Sequence, residues 1–135
     1  MSASNYLESA IANYLFRSVS LTSPTQIKIG LFTTMPNEYG NGGVEPSAAE
    51  YERVLYGPGS AYWTEPQSGD GIVSNITTVL FPAPTGNAWG TIIGFGIWDQ
   101  LGNLLFDYVF ASPVVIGSGS DAPKFDPGTL RVIFS

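Results

Sequence analysis

Residues 89–110, WGTIIGFGIWDQLGNLLFDYVF, constrain the fold more than any other stretch of this chain. They read as two long strands joined by a tight turn. The first strand carries glycine at 90, 94 and 96 on one face, and the second is aromatic or aliphatic along nearly its whole length. A hairpin this apolar needs a cover, whether a second sheet, a helix or another copy of the chain. Asp99 can bond the backbone ahead of it, and Gly102 can take the left-handed conformation, so Asp99-Gln-Leu-Gly102 supplies the turn. Glycines on one strand face let a ring or a neighbouring backbone approach closely, with Phe106 or Tyr108 as the expected ring. Gly94-Phe-Gly96 has no helix after it and is not a nucleotide-binding motif.

The rest of the chain supplies the cover. Residues 5–18 are the one convincing helix, with Asn5 as N-cap and Glu8 closing a capping box. Leu7, Ala10, Ile11, Tyr14 and Leu15 recur at helical spacing and predict a stripe packed on the domain, or else a docking arm to a neighbour. Strands are expected over 26–32, 51–56, 72–78, 79–81, 113–116 and 130–134, and a loop over 65–71. Two longer loops, 34–50 and 117–128, interrupt them. Short strands at near-regular spacing with many turn residues make the fold mainly β: one domain, an antiparallel β-sandwich of jelly-roll kind with one N-terminal α-helix. The 135 residues suffice for a single core.

Composition narrows the chemistry. There is no cysteine, hence no disulfide and no thiol nucleophile, and no histidine, the commonest general base and transition-metal ligand. Neither a cofactor nor a catalytic residue is assigned, and the chain is not expected to be an enzyme. A carboxylate-based glycosidase would have to use Asp99 and Asp107, the two acids of the hairpin. Asp99 is explained by the turn, while Asp107 sits among apolar residues and calls for a polar partner across strands or subunits. Net charge is −6, and the five cations, Arg17, Lys28, Arg53, Lys124 and Arg131, are scattered, which argues against nucleic acid and anionic membrane as partners. No apolar run reaches membrane-spanning length, and the first residues do not form a secretory signal. Only 12% of residues are charged, which fits either a neutral polar exterior or one buried between subunits.

Three features compete for a binding role. Glu45, Glu50 and Glu52 offer hard oxygen ligands for Ca²⁺, but their spacing matches no known calcium loop, so no metal is assigned. Arg53 is expected to pair with Glu38 or Asp99 and pin the long loop to the sheet. Trp63, Trp89, Trp98, Tyr39, Tyr56 and Tyr62 form either a sugar platform or, at 13% aromatic overall, core and interface. The interface candidates are Tyr6, Leu7, Ile11 and Tyr14 on the helix, with Tyr39, Glu45 and Tyr62 in or beside the loops.

Several motifs in order carry a family resemblance: Ser4-Asn-Tyr-Leu-Glu8, Ile29-Gly-Leu-Phe-Thr-Thr-Met-Pro36, Gly42-Gly-Val-Glu45, Tyr51-Glu-Arg-Val54, Phe81-Pro82, Trp89-Gly-Thr-Ile92, Phe95-Gly-Ile97 with Asp99, Gly102-Asn-Leu-Leu105 and Gly128-Thr-Leu130. With them the whole chain resembles small tailed-bacteriophage virion proteins, described as tail-fibre, capsid-fibre or capsid decoration proteins. The family often has His where Gly94 stands, and a Gly-Asp pair where this chain has Gly117-Ser-Gly-Ser-Asp121. The resemblance implies a non-enzymatic virion component, made in the host cytoplasm and trimeric. A capsid decoration (cement) protein would bind the major capsid protein and further copies of itself. A fibre component would present its loops to a host-surface glycan. The short chain, without repeat or coiled coil, leans toward cement.

Overall fold

A computed structural model describes residues 2–66 and 70–134, which leaves the middle of the expected 65–71 loop outside the described residues. The elements are β1 (Ser2–Ala3), α1 (Asn5–Arg17), β2 (Lys28–Phe32), β3 (Val54–Leu55), β4 (Ile72–Ser74), β5 (Val79–Leu80), β6 (Gly90–Trp98), β7 (Leu104–Ile116), β8 (Lys124–Phe125) and β9 (Arg131–Ile133). One sheet has the order β1-β7-β6-β2-β3, and two short ribbons, β4-β9 and β5-β8, accompany it. Every strand pairing among the described residues is antiparallel. The fold is mainly β and sandwich-like: a continuous five-stranded layer faces a second layer split into the two ribbons.

The β6–β7 hairpin is the centre of the large sheet. Asp99 Oδ1 accepts from the backbone N–H of Leu101 and Asn103, both at 2.9 Å, and Gly102 takes φ +83°, as the turn requires. Period-two alternation then sorts the side chains. Ile29 and Leu31 of β2 pair with Ile97 and Phe95 of β6, and all four point into the main core beside Val79, Phe81, Leu130 and Val132 from the ribbons. On the opposite face Gly30 pairs with Gly96, and Phe32 with Gly94. A second, small core of Phe32, Trp98, Leu104 and Met35 fills the depression these glycines leave.

That filling differs from the expected one. Phe106 points into the main core, and the Tyr108 ring packs on Phe95 at 5.6 Å between centroids. A Cβ added at Gly96 would lie 2.6 Å from the Trp98 ring and 2.7 Å from Phe32. The rings over Gly96 therefore come from its own strand and from β2, because Phe32 and Trp98 share its parity. Gly94 and Gly96 are buried within the single chain, whereas Gly90, at φ +90°, is exposed.

Strand lengths depart from expectation where Pro or a bulge intervenes. The expected strand at 113–116 is the end of the 13-residue β7. Its register against β6 slips between Ile92 and Gly94, and Pro113 sits in that irregular stretch. Nor is 117–128 all loop: Lys124 and Phe125 pair with Leu80 and Val79, and the Phe125 ring meets Phe81, Phe95 and Phe110. The expected 51–56 strand shrinks to two paired residues, the 72–78 strand to three and the 130–134 strand to three.

The helix starts one residue earlier than the sequence suggests. Ser4, not Asn5, is the N-cap: its backbone is extended and its Oγ accepts from Leu7 N–H at 3.2 Å. Ser4 is buried because it also belongs to the sheet edge. Its N–H donates to Leu105 O at 2.9 Å and its Oγ donates to Leu104 O. The cap thus ties α1 to β7. The expected burial of the helix stripe is not observed, since no residue of α1 is buried and only Leu7 packs against the main core.

Candidate functional site

The acidic loop, taken residue by residue, is a clamp. Glu45 lies over the glycine face, its Oε1 only 2.8 Å from where a Gly30 Cβ would be. Arg53 donates to it through both arms of a fork, Nε to Oε1 at 3.0 Å and Nη2 to Oε2 at 2.9 Å. The Arg53 guanidinium also lies 3.7 Å above the Trp98 ring centroid. Tyr51 OH donates to Glu45 Oε1 at 2.8 Å and accepts from Leu31 N–H at 2.9 Å. Burial pushes the Tyr51 phenol well above its ordinary value, and the Glu45 carboxylate adds to the rise. The partner of Arg53 is therefore Glu45, not Glu38 or Asp99. This pairing fastens the 34–50 loop to the sheet, and Glu45 is turned inward rather than offered to a neighbour.

Glu50 is used elsewhere. Its carboxylate accepts from Gly86 N–H at 3.2 Å and from Trp89 Nε1 at 3.4 Å. These bonds, led by one from its own backbone N–H, hold its pKa below the usual carboxylate value against the opposing effect of burial. A carboxyl group whose pKa is lower in the folded chain than in the unfolded one stabilises the fold above the unfolded value, and that stabilisation is lost as pH falls through the folded value. Glu50→Gln should accordingly lower the melting temperature at neutral pH, and the gap to the native chain should close in acid, below the ordinary value of 4.5. A gap that widens in acid would contradict the assignment. With Glu45 and Glu50 engaged apart, the expected Ca²⁺ ligands do not converge, and no three acidic groups among the described residues come together to hold a metal ion.

Most of the aromatic set is core. Tyr56 meets Tyr62 and Trp63 edge-on, at 5.2 and 5.4 Å between centroids, and Tyr51 meets Trp89 edge-on at 5.1 Å. Tyr62 is half-held against Tyr56, while Tyr39 stands at a loop tip with 76% of its surface exposed. No ring contact joins Tyr39 to Tyr62 among the described residues, so they form no shared sugar platform. Asp99 has both carboxylate oxygens engaged, Oδ1 by the turn amides and Oδ2 by Asn103 Nδ2 at 2.9 Å. Asp107 is half-buried on β7, opposite Gly96 and Ser2.

The exposed apolar surface gathers at the helix end of the molecule. Every residue from Tyr14 to Ser23 is exposed, a run of ten. Tyr6, Val19, Leu21, Pro24 and Leu101 line a cleft of about 490 Å³ between α1, the segment after it and the hairpin turn. Of the helix candidates, Tyr6 and Tyr14 are about half exposed, whereas Leu7 and Ile11 are turned partly toward the chain's own body. Sequence reasoning missed Val19, Leu21 and Leu101 because they lie in a linker and a turn, outside any periodic pattern. Their signal was available as apolar residues in segments whose neighbours are Ser, Thr and Gln.

A family model described as podophage GP4 fiber I protein gp80 matches residues 2–133. The chain belongs to this family. The fiber I protein family is a family of phage virion fibre proteins, and the chain is a virion structural component. No curated protein matches it. The matched span contains all the described strands, α1, both carboxylate clamps and the apolar helix end, so the family pattern and the packed domain coincide.

Proposed function

We propose that this fiber I family member is a non-catalytic building block of a virion fibre, joined to its neighbours by apolar docking. The family match over residues 2–133 carries the reading. The surface supports it: Phe16, Leu101, Tyr39 and Val115 are each more than two thirds exposed on a chain with only five cations. Such side chains contribute ~25 cal/mol per Å² when a neighbour covers them. A non-catalytic role fits the absence of His and Cys and the full engagement of Asp99. Tyr39 is the side chain best exposed for stacking on a host-surface glycan.

A second reading, a capsid cement protein bound to the major capsid protein, is favoured by one observation. Exposed apolar residues stand on separate elements, Phe16 on α1 and Val115 on β7, as a subunit bridging two neighbours needs. Cryo-electron microscopy of the virion with a tagged copy of the chain separates the readings. Density confined to appendages is expected, and density over the capsid surface lattice would replace the fibre reading with the cement one.

A further inference from the structure

The helix end is an unusual surface for a chain of this charge. Tyr6, Tyr14, Leu15, Phe16, Val19, Leu21 and Leu101 are exposed by 44% to 84%. Tyr6, Val19, Leu21 and Leu101 line one cleft, and Tyr6, Tyr14 and Leu21 line an adjoining one. Leu15 and Phe16 follow directly on the helix. Only the first part of α1 is tied to the body, through the Ser4 cap and Leu7, so the last turn carries its large side chains outward on several sides.

Area and charge together say what fits there. The seven side chains offer on the order of 800 Å², about what one partner contributes to a standard-sized complex. From Ser9 to Ile27 the only charged residue is Arg17, while the other four cations and all eleven acids lie elsewhere in the chain. Copies carrying a net −6 repel one another over most approaches, and a face free of acids is where that repulsion is least. The other exposed apolar stretch, Val109, Val114 and Val115 on β7, is a poorer candidate, because its strand edge is interrupted by Pro113 and a slip in register.

We propose that two copies of this chain meet through the neutral apolar face made by Tyr14–Leu21, Tyr6 and Leu101. The inference goes beyond the fibre reading, because it specifies a contact that forms in solution wherever the protein sits on the virion. The interface is apolar at its centre, with Phe16 and Leu101, the two most exposed side chains of the face, as its anchors.

Sedimentation equilibrium of the full chain tests it. The native protein should sediment as a multiple of the 14.4 kDa monomer. Phe16→Ser and Leu101→Ser should each raise the dissociation constant about tenfold or more. Both side chains point into solvent, so far-ultraviolet circular dichroism and the melting midpoint of the dissociated chain should match the native protein. Val115→Ser, 74% exposed on β7, should leave association unchanged. A native chain that stays monomeric up to roughly 100 µM overturns the proposal, even if the same face then binds a different virion protein. Association unaffected by Phe16→Ser and Leu101→Ser, or abolished by Val115→Ser, overturns it as well. Failure of the fibre reading appears in virion micrographs and leaves these sedimentation results standing.

Discussion

Gly94→Ala should cost about 3 kcal/mol or more of folding stability, at or above the top of the range for one added methyl group in a packed core. A Cβ at this position would sit 2.2 Å from the backbone oxygen of Tyr108, 2.6 Å from Met35 Sδ and 3.1 Å from Met35 Cε. The methionine can swing away, but the carbonyl cannot. It belongs to β7, which is hydrogen-bonded to β6 along the longest pairing in the protein. Relief would require the two central strands to separate, and the core side chains Phe95 and Ile97 would move with them. Gly96→Ala is a useful companion, because its clashes at 2.6 to 2.8 Å are with the Phe32 and Trp98 rings, which can tilt. The expected order in urea denaturation is native, then Gly96→Ala, then Gly94→Ala, which is expected to be insoluble or partly unfolded. Gly94→Ala within about 1 kcal/mol of the native chain would mean that the strands are not held this closely.

The glycine face illustrates what the sequence made legible. Glycines 90, 94 and 96 and the Asp99–Gly102 turn are local signals: parity along a strand and turn chemistry decide them within a few residues. The hairpin and the mainly β class followed from such signals, and so did the need to cover the glycines. What occupies the face is decided by the register between β2 and β6, where Gly30 meets Gly96, and by a loop that returns Glu45 to it. Neither is encoded locally. The helix cap shows the same limit. Ser4 and Asn5 are both good caps on intrinsic preference, and Ser4 prevails because its backbone and hydroxyl also bond Leu105 and Leu104, a hundred residues away in sequence. The amphipathic stripe of α1 was read correctly as periodicity, but period alone does not say whether the chain's own body covers it. Of the expected site residues, Tyr6, Tyr14 and Tyr39 are the well-exposed ones, whereas Glu45 is drawn inward by Arg53, whose fork fits a carboxylate in two-point contact.

The side chain with the largest hidden role is Asn75, which nothing in the sequence distinguishes from the turn-favouring asparagines around it. It is 1% exposed, directly after β4, where the chain leaves one ribbon for the other. Its Oδ1 accepts from Leu130 N–H at 3.0 Å, and its Nδ2 donates to Thr77 O at 2.8 Å, Asp126 O at 3.0 Å and Phe125 O at 3.4 Å. Its backbone adds two further ties, N–H to Leu130 O at 3.2 Å and O from Gly128 N–H at 2.8 Å. One residue therefore joins the ends of β4, β8 and β9 and satisfies backbone groups that no strand ladder reaches. Asn75→Ala removes the amide and leaves Leu130 N–H, Thr77 O and Asp126 O without it in a site closed to water. Each stranded buried group costs ~1–3 kcal/mol, and since such costs are not additive the total should be about 4 kcal/mol. Asn75→Asp keeps an acceptor for Leu130 N–H but sets a carboxylate against the Thr77 and Asp126 carbonyls, so it should not rescue the fold. The effect should also be local at first: in hydrogen exchange, Leu130 N–H is slow in the native chain and should become fast in Asn75→Ala before the β6–β7 amides do. A variant that loses less than about 1 kcal/mol, with Leu130 still protected, would show that the ribbons close over the large sheet without this hub.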